Sequence, residues 1–429
     1  MKKNFKQSVI ILLIGGLTTK ILGMFIKIIM SRMLGTEGIG LYMKVLPTFT
    51  LFIGLAQFGI PIALSKLVAE DNKNNLQLVF SILPISLLIN VILMILIIII
   101  APYLSNNLLH DNRTLLAIIS IAFVIPFTSI SNICRAYFFG KQEMIPHVVS
   151  IISEDIIRLL LMIIGIPIFI NKGLSYAICF IILSNIISEI TSILILIFFI
   201  PKNVKINKNN LSIKKNYMIE SLSIGIPNTT GTLIGSIGYF LEPIILSTVL
   251  LSMGYNNNFI TNEYGIISGY VMPLLLLPSF FTLAISQALL PTVSKEYTNK
   301  NIKTVKIKIK QSIIYSLVIG IPITILFIII PKTFLNLVYN TNKGILYMKI
   351  LAPICLIQYI QSPLMSSLNA MGKSKLVMKA TTLGVIIRTI LLVTLSLLKI
   401  KMWGLIISIS INVVVVTIYS IKKVKEALI

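Results

Sequence analysis

Residues 82–101, ILPISLLINVILMILIIIIA, carry no charged side chain over their whole length. A helix of about 20 such residues is long enough to cross about 30 Å of hydrocarbon. Similar apolar runs recur at residues 178–200 and 313–330, and the chain of 429 residues is 56% hydrophobic and only 12% charged. This composition lies outside the range of water-soluble domains. The sequence therefore predicts an all-α polytopic membrane protein.

Turn residues and charges divide the chain into about twelve spans. Lysine and arginine concentrate in every second connection, with the largest clusters at residues 202–215 and 295–310. Because cytoplasmic loops carry the excess of positive charge, and because an even number of spans returns the chain to its starting side, both termini are predicted to be cytoplasmic. We interpret the net charge of +24 as membrane topology and attraction to anionic lipids, not as nucleic-acid binding.

The chain also repeats itself at an offset of roughly 230 residues. Three pairs of segments carry the repeat: residues 63–70 with 289–296, 139–141 with 371–373, and 155–158 with 385–388. Each repeat then holds an even number of spans, so the two lobes are expected to enter the membrane in the same sense around a central cavity, as in secondary transporters. We predict an N-terminal six-helix lobe at 1–201, a cytoplasmic basic linker at 202–217 and a C-terminal six-helix lobe at 218–429.

Charged side chains inside the first two spans are costly in lipid and so predict a cavity or a partner. In the first span Lys20 and Lys27 share one helical stripe with Gly16 and Gly23. Lys44 forms a shorter polar edge on the second span. We interpret all three lysines as candidates for binding a substrate in the central cavity, with snorkelling to the interface as the alternative for Lys27 and Lys44.

The seventh span is the repeat counterpart of the first, and it also carries a polar stripe. The candidate cavity residues on this stripe are Asn228, Thr232, Tyr239 and Glu242. Glu242 precedes Pro243, which predicts a break or bend of the helix there. This carboxylate is expected either to pair with a lysine of the first span or to bind the proton or sodium ion that drives transport.

Two arginines occupy matching places in the two lobes. Arg158 follows Glu154 by four residues, which predicts a local ion pair. Arg388 has Gly384 in the corresponding place, so contact with a lipid phosphate is the alternative to a structural role for it. No nucleophile elbow, phosphate-binding loop or metal-ligand spacing occurs in the sequence, so neither an enzyme, a cofactor nor a metal site is predicted.

Two motifs, RMLGTEGIGLY at residues 32–42 and GIPIALSKLVAE at 59–70, resemble the stage V sporulation protein B and polysaccharide flippase family. This family belongs to the superfamily that also contains lipid II flippases and multidrug and toxin extruders. RAYFFG at 135–140 and NAMG at 369–372 add weaker support. Many relatives have fourteen spans and this chain about twelve, which leaves its exact lipid substrate open.

The resemblance implies a flippase in the bacterial cell membrane. The two parallel lobes predict alternating access between them, and we expect one chain to be sufficient for function. Its substrate would be an undecaprenyl-pyrophosphate-linked oligosaccharide or cell-wall precursor, moved from the inner to the outer leaflet. The lysines of the first lobe would offset the charge of the pyrophosphate. The alternative in another functional class is a cation-coupled exporter of drugs or metabolites with the same fold. A non-transporting scaffold for wall synthesis is a third reading, which leaves the lysines inside the spans unexplained.

Overall fold

The computed structural model describes residues 5–70, 75–200 and 214–428, with the backbone alone at residues 5–10, 13, 227–228, 231 and 288. Regular structure in these ranges is helical, and no strand occurs in them. The predicted all-α fold is confirmed. Residues 202–213, most of the predicted basic linker at 202–217, lie outside the described residues.

The helices before residue 253 are, in chain order, α1 (Phe5–Gln57), α2 (Ile60–Ala69), α3 (Asn75–Tyr103), α4 (Leu115–Gly140), α5 (Met144–Ile170), α6 (Leu174–Phe198) and α7 (Lys215–Ser252). Those after it are α8 (Asn257–Tyr264), α9 (Met272–Leu275), α10 (Ser279–Thr298), α11 (Ile302–Ile329), α12 (Pro331–Tyr339), α13 (Ile345–Ala370), α14 (Ser374–Ser396) and α15 (Trp403–Ala427). Helix α7 continues through Pro243, so the predicted break is absent, while the alternative of a bend stays a prediction. Spanning helices tolerate proline when neighbouring groups satisfy the freed backbone.

Nine helical segments of the described ranges are long and apolar enough to cross a membrane, and a tenth is added if α8–α9 and α10 form one bent span. The longest, Ile14–Ala69, has 56 residues, and at about 1.5 Å per residue it exceeds twice the hydrocarbon thickness. Helix α5 has 27 residues but carries several charged side chains. A multi-pass membrane protein is therefore established, while the number twelve stays a prediction.

Gly35 interrupts α1. Its φ of 68° and ψ of −173° lie in a region that is essentially restricted to glycine. A Cβ atom at this position would meet no other atom within 4 Å, so the requirement for glycine is conformational and not steric. The break allows the two parts of this long helix to run in different directions.

The chain divides into two compact units, Met1–Phe240 and Leu241–Ile429, so the boundary falls inside α7. In the first unit, α2, α3, α4 and α6 pack around a common core, to which Tyr217 and Ile224 of α7 contribute. Gly59, the residue before α2, has a φ of +66°, and a Cβ atom there would lie 2.2 Å from the carbonyl oxygen of Gly225. The absence of a side chain at Gly59 is what permits this close approach of α2 to α7.

In the second unit, the ends of α10, α11, α13 and α15 share a core that includes Val293, Val305, Leu368 and Val424. The predicted repeat pairs fall on matching elements. Arg158 lies on α5, the helix that follows α4, and Arg388 lies on α14, the helix that follows α13.

Candidate functional site

The first unit contains a cavity of about 200 Å³ between the two parts of α1 and helices α5 and α6. Its polar lining consists of Lys27, Tyr42, Arg158 and Asn185, and its apolar lining of Ile26, Met30, Leu46, Phe49, Met162 and Ile182. Both charged side chains of this lining are cations. An anionic group with an apolar attachment is the kind of ligand that such a lining favours.

Lys27 and Lys20 lie on the same face of α1, two turns apart, as the sequence predicted. Lys27 is exposed and forms part of the cavity wall. Lys20 is also exposed but does not line this cavity. The first part of α1 thus directs two ammonium groups away from the packed core.

Arg158 is held at the cavity wall by two carboxylates of its own helix. Its guanidinium contacts Glu154, four residues earlier, and Asp155, at 3.2 Å. The predicted local ion pair with Glu154 is confirmed. Because the side chain of Arg158 keeps 20% of its exposure, the guanidinium remains open to the cavity while its carboxylate partners fix its position.

Behind Arg158, a second arginine connects three helices. Arg135 of α4 contacts Glu154 of α5, lies 3.4 Å from Glu189 of α6 and donates a hydrogen bond of 2.6 Å to Ser192. Each of these four residues is at most 8% exposed. A buried cation that is shared by several acceptors fixes the relative positions of the helices that supply them.

Lys44 occupies a different environment from the one we expected. It is 1% exposed, and its ammonium lies 3.6 Å from the carboxylate of Asp111. Burial alone would raise the pKa of Asp111, but hydrogen bonds from Arg113 and the charge of Lys44 hold this pKa below its ordinary value. Arg113 in turn pairs with Glu37 at 2.5 Å. The charge of Lys44 is therefore neutralised by the α3–α4 connection, and its part in substrate binding stays a prediction.

The predicted polar residues of α7 fall in different settings. Thr232 is exposed and donates a hydrogen bond of 2.8 Å to the carbonyl oxygen of Thr229. Tyr239 is half-buried. The side chain of Asn228 lies outside the described residues. The role of these three residues in substrate binding stays a prediction.

Glu242 has two described partners, both in the second unit, and its predicted pairing with a lysine of the first span stays a prediction. Its carboxylate forms an ion pair with Arg388 of α14 and accepts a hydrogen bond of 3.2 Å from the hydroxyl of Tyr264. Arg388 has Gly384 four residues earlier on its own helix, and Glu242 of α7 supplies its carboxylate partner instead. The lipid-phosphate alternative for Arg388 is not needed to explain its position.

Sequence reasoning did not identify Arg135 or Asp111 as site residues. The signal for Arg135 was present, since an arginine within an apolar span predicts a carboxylate on another helix. Asp111 lies in a short polar connection and gave no comparable signal. Within the described residues, no group of three or more His, Cys, Asp or Glu side chains is placed to hold a metal ion.

Comparison with known structures identifies the fold. The structural match to lipid II flippase MurJ in its inward closed conformation covers 96% of this chain and 87% of that chain, with a TM-score of 0.72 and 16% identity. The match to an inward-facing multidrug resistance MATE family transporter of the MOP superfamily covers 95% of this chain and 95% of that chain, with a TM-score of 0.71 and 15% identity. The chain thus has the fold of these membrane transport proteins.

Sequence comparison defines the family. The polysaccharide biosynthesis protein family matches residues 5–297, and the MatE family matches residues 267–394. Stage V sporulation protein B of Bacillus subtilis (strain 168) is 33% identical over 406 residues, 92% of this chain and 78% of that protein. Lipid II flippase MurJ of the same organism is 24% identical over 357 residues, 77% of this chain and 63% of that protein. The chain belongs to the polysaccharide biosynthesis protein family.

Proposed function

We propose that this protein is an alternating-access flippase, not an enzyme, and that it moves a lipid-linked pyrophosphate sugar from the inner to the outer leaflet of the bacterial cell membrane. The observation that carries the proposal is the cavity of the first unit, where Lys27 and Arg158 are the charged side chains of the lining. Membership of the family and the names of its relatives agree with it.

The charge of the cavity suits a pyrophosphate. Two unit charges about 4 Å apart attract by about 4 kcal/mol at the effective dielectric of a partly buried site, against about 1 kcal/mol in water. Lys27 and Arg158 each offer a positive charge to the cavity, and Lys20, two turns from Lys27 on the same face of α1, adds a third outside its lining. Arg158 supplies planar, paired N–H donors that match phosphate oxygens.

The size of the cavity suits part of the substrate. Its volume of about 200 Å³ is smaller than the roughly 300–1,000 Å³ of sites for drug-sized ligands. A pyrophosphate fits such a space, whereas a complete lipid-linked oligosaccharide does not. We therefore assign the pyrophosphate alone to this cavity, and we assign the polar side chains of α7, including Thr232 and Tyr239, to the sugar.

The orientation belongs to the same proposal. The excess of lysine and arginine in every second connection supports a cytoplasmic location for both termini. The exposed lysines of α11, Lys303, Lys306 and Lys310, lie opposite the buried Val305 and Ile309, an arrangement suited to anionic headgroups of the inner leaflet. A proton or sodium gradient would supply the energy, and one chain would suffice for transport.

The test is leaflet transfer of a fluorescent undecaprenyl-pyrophosphate sugar in proteoliposomes. We expect the wild type to transfer the lipid, and we expect the double variant Lys20→Ala, Lys27→Ala to lose transfer while remaining folded. Lys375→Ala removes an exposed lysine from the first turn of α14 and serves as the matched control, with transfer retained. Equal transfer by the double variant and the wild type would remove Lys20 and Lys27 from the mechanism.

Export of a soluble cation is the second candidate. The match of the MatE family to residues 267–394 favours it, as does the buried carboxylate Glu242, since exporters of cationic compounds need acidic groups. Gradient-driven efflux of a cationic dye from the same proteoliposomes, without lipid transfer, would establish the exporter. The cationic lining of the cavity predicts lipid transfer without efflux of the dye.

A further inference from the structure

The network behind the cavity carries an excess of negative charge. It contains three carboxylates, on Glu154, Asp155 and Glu189, and two guanidinium groups, on Arg135 and Arg158. All three carboxylates belong to residues at most 9% exposed. Lys20 and Lys27 compensate this charge while the cavity is empty. When an anion in the cavity takes up that positive charge, a bound proton on one carboxylate restores the balance.

The contacts single out one carboxylate. Glu154 uses both oxygens, one for Arg135 and one for Arg158, so it is stabilised in its ionised form. Glu189 touches Arg135 at 3.4 Å, away from the cavity. Asp155 has a single described ion pair, at 3.2 Å, and its partner is Arg158, the guanidinium that also lines the cavity.

An anion in the cavity and the carboxylate of Asp155 therefore depend on the same cation. When an anion approaches Arg158, part of the positive charge that holds Asp155 ionised is compensated by the ligand. The negative charge of the region rises at the same time. Both effects favour the neutral form of Asp155.

We propose that binding of a pyrophosphate anion at Arg158 is coupled to the uptake of one proton by Asp155. The proton comes from water in the cavity onto a carboxylate oxygen of Asp155, and it returns to water when the anion leaves and Arg158 pairs with the carboxylate again. Anion and proton thus bind together, and the negative charge that the bound anion adds to the first unit is reduced by one. This inference rests on the proposed function for the identity of the anion.

The charged groups around Asp155 come from each neighbouring helix. Glu154 and Arg158 lie on α5, Arg135 on α4 and Lys20 on α1, and all four act on Asp155 electrostatically. Glu189 on α6 forms an ion pair with Arg135, and Lys27 lines the same cavity as Arg158. Within this set, Asp155 is the acid that forms an ion pair with the cavity cation Arg158 and has no described ion pair with Arg135.

The test is titration calorimetry of the purified full chain in detergent with a short, water-soluble dialkyl pyrophosphate diester. Both phosphates of such a diester keep their charge between about pH 5 and about pH 8, so any proton taken up belongs to the protein. Titration in two buffers of different ionisation heat counts the protons. We expect about one proton per anion in the wild type at neutral pH, and an affinity that rises up to about tenfold per unit fall in pH.

Three variants test which carboxylate takes up the proton. Asp155→Asn is expected to bind the diester without proton uptake and without this pH dependence, while Asp155→Glu retains both. Glu189→Gln also retains both. Binding by the wild type with no proton uptake would overturn the coupling and leave the flippase proposal standing, and uptake lost in Glu189→Gln but kept in Asp155→Asn would overturn the assignment to Asp155. If the diester does not bind the wild type at all, the anion cavity itself is wrong.

Discussion

Arg388 on α14 forms an ion pair with Glu242 on α7, and these two residues lie 146 positions apart in the sequence. The side chain of Glu242 is 5% exposed and that of Arg388 is 29% exposed. The pair is therefore asymmetric, because the arginine retains access to its surroundings whereas the carboxylate does not.

This asymmetry predicts unequal effects of removing the two partners. Arg388→Met leaves a buried carboxylate with only the Tyr264 hydroxyl among its described hydrogen bonds, so we expect a loss of about 3 kcal/mol in the free energy of unfolding. Glu242→Gln leaves a guanidinium that can reorient, and a loss of about 1 kcal/mol is expected. Denaturation of the purified variants in detergent measures both. Losses of equal size would contradict the asymmetry.

The pair of Lys44 and Asp111 predicts a similar contrast. Asp111→Asn removes the carboxylate that neutralises an ammonium with 1% exposure, and we expect it to cost about 3 kcal/mol. Lys44→Met leaves Asp111 with Arg113 and replaces a buried charge by an apolar side chain of similar length, so we expect a cost below about 1 kcal/mol. The same denaturation measurement decides, with the wild type as reference.

The lowered pKa of Asp111 also predicts a dependence of stability on pH. A carboxylate whose pKa is lowered by folding contributes stability that is fully present above its ordinary value of about 3.9 and is lost as the pH falls through the folded-state value. We therefore expect the difference in stability between the wild type and Asp111→Asn to shrink as the pH is lowered from about 6 to about 3. A difference that stays constant over this range would show that Asp111 does not act through its charge.

The backbone conformation at position 35 is expected to require glycine, and Gly16 provides a matched control. Gly35→Ala places a side chain in a backbone conformation that costs about 1–3 kcal/mol for residues other than glycine. Gly16→Ala, in the helical part of α1, likewise meets no atom within 4 Å and is expected to be neutral or to stabilise by up to about 1 kcal/mol. Because both alanines enter open space, equal effects of the two changes would rule out the conformational explanation.

The two arginines of the first unit are expected to separate stability from binding. Arg135→Met removes the cation between Glu154 and Glu189, and we expect it to lower stability by about 3 kcal/mol. Arg158→Met leaves Glu154 paired with Arg135, so we expect a smaller loss of stability but at least tenfold weaker binding of a pyrophosphate diester. Denaturation and calorimetry on the same preparations test the contrast. A variant Arg158→Met that binds as tightly as the wild type would exclude this arginine from the cavity site.

Local pattern was sufficient for several parts of this protein. The helices follow from uninterrupted apolar runs, because a backbone in hydrocarbon must satisfy its own hydrogen bonds. The pairing of Glu154 with Arg158 follows from a spacing of four residues on one helix, and the stripe of Lys20 and Lys27 follows from the same periodicity. Each of these features depends on neighbours within a few turns.

The partners of Lys44, Arg135 and Arg388 could not be read in this way. Asp111, Glu189 and Glu242 lie on other segments, and a hydropathy pattern says that a buried charge needs a partner without saying which one. Sequence periodicity therefore determined the spanning helices and the face on which each charge lies. The packing of helices decided which charges neutralise each other and which, as with Lys27 and Arg158, face a cavity, because that outcome depends on distances between segments remote in the chain.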